Sequence, residues 1–387
     1  MLRQFALRHR MLVAVAIEHD RARAGGALVN RQQHCHKPIP PDVTHFGRRG
    51  IEQRRHVQIS KVCIDTQGTL HMRSIQFQHG WGRGQRAHVN AWLPDAEPRG
   101  CVQIIHGMAE HAGRYARIGA QLAEAGFAVY AQDLPGHGRS IDRDDTLGHI
   151  AEWDGWPITL SAINGVRGHI EKEHPGRPLF MLGHSRGSFL LQDYVVEHGH
   201  GLAGVIFSAG CADLGPLRAV GLGLLRLEAL WAGRAHRSAL AEALSFKSFN
   251  REFKPNRTGF DWLSRDTEEV DRYISDPLCG FRCSVAMWID LLSAAGHLRD
   301  PQRLARIPKT LPILAINGTD DPACRGAQGA RSLERNYREA GLSDVTLKLY
   351  AQGRHELLND LCRDEVSADL CAWLEAQLPP SAAPQPA

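Results

Sequence analysis

The feature that most constrains this 387-residue chain is a five-residue turn. The apolar run Pro178-Leu179-Phe180-Met181-Leu182 leads into Gly183-His184-Ser185-Arg186-Gly187, and the helix-compatible stretch Ser188 to Val196 follows. A buried strand therefore turns sharply into a helix with Ser185 at the apex. Glycines two residues either side of the serine relieve crowding of Cβ atoms against backbone. The helix start beyond them supplies free N–H groups and a positive dipole end. A serine held this way is a candidate nucleophile.

With 43% hydrophobic residues, the chain can bury a large core and hold one big domain with appendages, or two domains. The apolar stretch Met11 to Ile17 is only seven residues long, against the roughly 20 that a membrane-spanning helix needs. It follows Arg3, Arg8 and Arg10 but ends in Glu18-His19-Asp20-Arg21 without a small-residue cleavage site, so no secretory signal is expected. The nine cysteines are odd in number and scattered without framework spacing, which predicts a reducing, cytoplasmic location. His34-Cys35-His36 lacks a second ligand pair at finger-like spacing, so neither a metal nor any other cofactor is expected.

The net charge of +4 is unevenly distributed. Residues 1–71 carry 12 Lys+Arg and 5 Asp+Glu, while the remaining 316 carry a net charge of −3. A nucleic-acid partner is therefore not expected, because such a protein spreads basic residues over a folded face. The first 71 residues also lack sustained periodicity and are rich in Arg and His. They read as a basic extension: a disordered tail, an organellar transit segment, or, the reading favoured here, an upstream-extended frame whose true start is Met72.

From residue 72 strands alternate with helices. Strand patterns cover Ile75–Phe77, Ala87–Leu93, Gly100–Ile105, Phe127–Gln132, Pro178–Leu182 and Leu202–Ser208, with helices at Ala116–Ala125, Trp156–Glu173 and Arg186–Val196. This predicts an α/β class with a mostly parallel sheet covered on both faces. Between about 210 and 308 the rhythm breaks into helical patches, as expected for a cap inserted after the sixth strand. Sheet patterns resume at Pro312–Asn317 and Val345–Tyr350, giving a domain over 72–378. Residues 379–387, Pro-rich, are expected to be a disordered tail.

A serine hydroxyl needs a base and a group to orient that base. After the strand at Pro312–Asn317 comes Gly318-Thr319-Asp320-Asp321-Pro322, and after the strand at Val345–Tyr350 comes Arg354-His355-Glu356. Both follow strand ends, where open α/β sheets build their sites. The assignment is Ser185, Asp321 and His355, with Asp320 in reserve for the orienting role because one of the two aspartates could merely cap a helix. Acyl transfer also needs two donors for the oxyanion. The main-chain N–H of Arg186 is one, and that of Met108, in the loop His106-Gly107-Met108-Ala109-Glu110-His111, is the other. His106, Glu110 and His111 read as braces of that loop.

The segments His106 to Tyr115, Asp133-Leu134-Pro135-Gly136-His137-Gly138-Arg139-Ser140, Gly183 to Gly187, Asp276-Pro277-Leu278, Gly318 to Pro322 and His355-Glu356 together resemble the monoacylglycerol lipase and lysophospholipase family of α/β hydrolases, the serine aminopeptidase S33-like group. The resemblance runs from about Met72 to Leu378. It implies an α/β-hydrolase fold and the same five site residues. It departs at Arg186, where the family pattern has Met or another apolar residue, a change that leaves a main-chain donor intact but alters the pocket beside it. The implied activity is hydrolysis of carboxylic esters of lipid-like alcohols, with a small-molecule acyl ester as partner and transient contact of the cap with a lipid interface. No amphipathic helix is clear enough in the pattern to establish that contact. An aminopeptidase or amidase is the alternative, which would need cap carboxylates such as Glu268, Glu269 and Asp271 to hold a substrate ammonium. A non-catalytic binding module is the remote one.

Overall fold

Strands whose residues are apolar on both faces can be buried only if helices cover both sides of their sheet. The structure, a computed structural model, describes residues 58–64, 70–82, 85–141 and 147–379 and has this arrangement. Strands β1 (Gln58–Ile64), β2 (Leu70–Gly82), β3 (Gln85–Pro94), β4 (Gly100–Ile105), β5 (Phe127–Gln132), β6 (Leu179–His184), β7 (Gly204–Ser208), β8 (Ile313–Gly318) and β9 (Val345–Tyr350) form one sheet. Their order is β1-β2-β3-β5-β4-β6-β7-β8-β9. The first three and β5 pair antiparallel, whereas β4 to β9 run parallel.

Helices α1 (Ala116–Glu124), α2 (Gly155–Glu173) and α3 (Arg186–His198) are followed by α4 (Leu217–Ala232), α5 (Ala239–Leu244), α6 (Phe246–Phe249), α7 (Thr267–Ser275), α8 (Val285–Ala295) and α9 (Pro301–Leu304). Then come α10 (Ala327–Glu339) and α11 (Arg363–Ala376). One face of the sheet offers Val102, Ile104, Phe180 and Leu182 to Ile118 and Leu122 of α1 and to Val366 and Leu370 of α11. The other offers Cys101, Ile105, Met181 and Phe207 to residues of α2, α3 and α10, among them Ile163, Leu190 and Tyr337. Side chains alternate between faces along each strand, so a single strand serves both cores.

Helices α4 to α9 all lie between β7 and β8, the segment expected as a cap. Their starts are set locally. Ser238 accepts from Ala241 N–H at 2.9 Å, Ser284 from Met287 N–H at 3.3 Å, and Asp300 from Gln302 N–H at 2.9 Å, each filling an orphan donor of a first turn.

Two expectations need correction. The insertion follows the seventh strand, not the sixth, because a strand precedes those recognised in the sequence. That strand, β1, lies inside the segment assigned to an extension ending at residue 71, and β2 itself begins at Leu70, with Met72 opposite Cys63. Register shifts between Ile59 and Lys61 and between Cys63 and Ile64 break the two-residue alternation by which a strand is recognised. Residues 1–57, with His34-Cys35-His36 and the Met11–Ile17 stretch, and the tail from Pro380, lie outside the described residues.

The crossing of strand and helix at the elbow leaves room for nothing larger than glycine. A Cβ on Gly187 would lie 2.1 Å from Ile105 O and 2.6 Å from His106 O, both main-chain atoms of the central strand end. Gly187→Ala is therefore expected to cost about 3 kcal/mol or more in urea denaturation. Gly168→Ala, exposed in mid-α2 with nothing within 4 Å of its Cβ, should instead stabilise by about 0.5–1 kcal/mol.

Candidate active site

Strands β4 and β6 are neighbours, while the chain passes through β5 on the far side of β4 between them. The loops leaving β4 and β6 therefore diverge around a crevice at their C-terminal ends. The elbow fills one side of it. Ser185 has φ 52° and ψ −119°, a region that costs a non-glycine residue about 1–3 kcal/mol and persists only where surroundings enforce it. Its N–H donates to Ser208 O at 2.9 Å, and its carbonyl accepts from Ser188 and Phe189 N–H at 2.8 and 3.2 Å. Arg186 is the first residue of α3, so its N–H has no intrahelical carbonyl to reach.

Three of the expected side chains come together. Ser185 Oγ lies 2.9 Å from His355 Nε2, and His355 Nδ1–H donates to both Asp321 oxygens at 2.9 and 3.0 Å. His355 sits just past β9 and Asp321 just past β8. Asp321 is fully buried and also accepts from Ala323 N–H at 3.0 Å, so one residue both caps the following turn and faces the imidazole. Asp320 instead accepts from the Thr319 hydroxyl on the surface at 2.9 Å. Burial alone would lower the His355 pKa. The charge and hydrogen bond of Asp321, with help from Glu356 and Glu110, outweigh it and raise the pKa above the ordinary histidine value. The neighbouring His184, His106 and His137 carry no such partner. Burial drives His184 and His137 down to about 3 and His106 well below its usual value, so all three are neutral at working pH.

The loop after β4 is braced as expected. His106 Nε2 accepts from Leu134 N–H at 2.9 Å and Nδ1–H donates to Gly107 O at 2.8 Å; Glu110 accepts from Gly107 N–H at 2.6 Å; His111 Nε2–H donates to Asp276 at 2.9 Å. A Cβ on Gly107 would fall 3.2 Å from that of Ser185, so the loop carrying Met108 lies directly against the serine. The sequence pattern does not show the link that joins this loop to the segment carrying His355. Arg114 donates to both oxygens of Glu356 at 2.5 and 2.6 Å and to Glu110 at 3.1 Å, all deeply buried. Burial would raise the Glu356 carboxyl, but Arg114 holds it below its usual range. Trp262, from the cap, stacks obliquely on His355 with centroids 4.8 Å apart.

Above Ser185 opens a cavity of about 470 Å³ between the sheet end and the cap. Its walls include Phe189, Leu225, Phe246, Trp288 and Leu291, and Met108, Arg186 and His355 also line it. The family model described as serine aminopeptidase, S33, matches residues 96–362. The chain belongs to that family. Among relatives, this S33 chain is 29% identical over 295 residues to a monoacylglycerol lipase of Mycolicibacterium smegmatis, covering 76% of this chain and 95% of that protein. It is 28% identical to the monoglyceride lipase of Homo sapiens over 282 residues, covering 72% and 82%. The solved structure of a highly thermostable carboxyl esterase from Bacillus coagulans, in complex with glycerol, matches with a TM-score of 0.71 at 26% identity, covering 80% of this chain and all of that one.

A base that must be neutral to take a proton loses activity as pH falls through its pKa. With the His355 pKa raised above 6.5, the acid limb of kcat/KM should lie above pH 6.5. Asp321→Asn removes the main raising influence, so the limb should move to lower pH while kcat falls roughly 10³- to 10⁴-fold. A pH–rate profile on a p-nitrophenyl ester reads both effects.

Proposed function

We propose that this S33-family chain hydrolyses carboxylic esters of lipid-like alcohols, monoacylglycerols or lysophospholipids, through an acyl-enzyme on Ser185. The supporting observation is the unbroken chain of 2.9 Å contacts from Ser185 through His355 to Asp321 at the base of an apolar cavity. Ser185 Oγ attacks the acyl carbonyl as His355 Nε2 takes its proton, and Asp321 stabilises the imidazolium. The main-chain N–H groups of Met108 and Arg186 receive the oxyanion. The imidazolium protonates the departing alcohol, and water, activated by His355, then releases the acid. Each step uses protein groups and water, so the reading needs no metal or cofactor. A cytoplasmic location fits the scattered free thiols, and no helix among the described residues is long and apolar enough to cross a membrane.

The amidase alternative fares worse on the charges present. Among the described residues lining the cavity there is no Asp or Glu to hold a substrate ammonium. Glu268 and Glu269 of α7 pair with Arg272, and Asp271 pairs with Arg257. Ser185→Ala should lower hydrolysis of a monoacylglycerol at least about 10³-fold with an unchanged melting temperature. Wild type should cleave acylglycerols or lysolipids far faster than aminoacyl nitroanilides. Retained turnover in the variant, or the reverse preference, would overturn the proposal.

The cap supports contact with a lipid interface. Along α4, Leu217, Val220, Leu224, Leu227 and Trp231 recur at helical spacing on an exposed face, and Leu230 beside them is 84% exposed, while Leu222 and Leu225 face inward. The first three of that stripe also line the cavity, so an acyl chain can pass from bilayer to Ser185 along one helix. Burying two such side chains in lipid contributes about 3–6 kcal/mol. Leu230→Glu with Trp231→Glu should therefore abolish co-sedimentation with phosphatidylcholine vesicles and reduce turnover of vesicle-borne substrate far more than turnover of a soluble short-chain ester.

A further inference from the structure

Arg186 is only 1% exposed, next to the serine, and none of its three guanidinium nitrogens has a hydrogen-bond partner among the described residues. A guanidinium carries five N–H donors and stays charged at neutral pH, and natural interiors almost always pair such a group. What surrounds it compensates weakly. The Trp156 ring lies 5.6 Å from its central carbon, and Asp290 acts on it through its charge without an ion pair. Burial lowers the guanidinium pKa to about 10, which leaves it protonated.

The cavity supplies a second, independent observation. Its lining holds three arginines, Arg186, Arg218 and Arg325, and no carboxylate among the described residues. Of the three, Arg218 already donates to Leu292 O at 2.8 Å. A simple hydrocarbon chain makes no use of a buried cation.

We propose that the cavity takes an ester that also bears an anionic group, a carboxylate or phosphate, which the Arg186 side chain receives beside Ser185. This assignment rests on the ester-hydrolase reading above and names its substrate class. The planar fork of Arg186 matches two oxygens of either anion at once, which an ammonium does not. The anion can belong to the acyl part, as in a hemiester of a dicarboxylic acid, or to the alcohol part, as in an acylglycerol phosphate. Pairing it turns a weakly compensated buried cation into a bidentate charge-assisted contact. A neutral substrate leaves that cation unpaired.

Because the Arg186 main chain also serves the oxyanion, the readout is the ratio of kcat/KM for an anionic and a neutral ester within each variant. Two pairs separate the sources: the mono-p-nitrophenyl ester of suberic acid against p-nitrophenyl octanoate, and 1-oleoylglycerol 3-phosphate against 1-oleoylglycerol. In wild type at least one ratio should favour the anion, and Arg186→Met should lower that ratio at least tenfold, with Arg186→Lys between. The pair that responds identifies which part of the substrate carries the charge. Binding is measured separately, by calorimetry of suberic acid monomethyl ester and of glycerol 3-phosphate with Ser185→Ala and with Ser185→Ala/Arg186→Met. One of the two probes should bind the single variant and lose at least tenfold in affinity in the double. Anion binding that depends on Arg186 without ester cleavage would sink the hydrolase reading and keep this one. Ratios and affinities indifferent to Arg186→Met, or a melting temperature that collapses in Arg186→Met with its ratio unchanged, would overturn the assignment and leave a structural arginine.

Discussion

Ser185 keeps its place at the apex of the elbow only while its backbone is held at φ 52°, and the holding is done by main chain, not by side chains. The N–H of Ser185 is tied to the end of β7, and Gly187 lies so close to the carbonyls of Ile105 and His106 that α3 has one possible seat. Gly183 meets the same restriction from inside the elbow, where a Cβ would fall 2.4 Å from Gly187 O. The two large cores on either face of the sheet fix β4, β6 and β7 relative to one another. The strain at the serine is thus maintained by burial far from it.

Histidine identity at the site follows from the same packing. Four imidazoles lie near the serine, all buried, and burial by itself would keep all four neutral. Of the four, His355 alone hydrogen-bonds a carboxylate, and it alone has a raised pKa. Opposed environments of this kind separate a proton-accepting residue from structural neighbours of the same type. The Arg114 link extends this arrangement, because Glu110 on the loop after β4 and Glu356 next to His355 share one guanidinium. The loop after β4 and the loop after β9 are therefore fixed to a common point.

Legibility in the sequence tracked how local each signal is. The elbow could be read because strand, glycines and helix adjoin, and Asp321 and His355 could be read because each ends a recognisable strand. The Arg114–Glu356 contact joins residues 242 positions apart and has no local signature, though both lie in motifs that were singled out. Strand β1 escaped because its register shifts disrupt alternation. Helix α4 is apolar on both faces, so its pattern alone identifies neither the buried nor the exposed one; only the packing of Leu222 and Leu225 inward leaves Leu227 and Trp231 outward. The departure at Arg186 was visible as a residue type, but the unpaired state of its side chain belongs to the tertiary structure.

An apolar chamber and a buried cation look like opposed demands, yet each strengthens the other. Walls such as Leu225, Trp288 and Leu291 lower the local dielectric, which deepens the penalty on an unpaired guanidinium and equally deepens its attraction for an anion brought to it. A polar chamber would soften both, and discrimination would shrink toward that of a surface ion pair, which contributes about 0–1 kcal/mol. A site built around an unsatisfied donor rejects ligands that leave it so, because the desolvation cost then has nothing to offset it. The penalty on an unpaired Arg186 and its selectivity for an anion are therefore the same free energy, drawn on by the ligand that completes the pair.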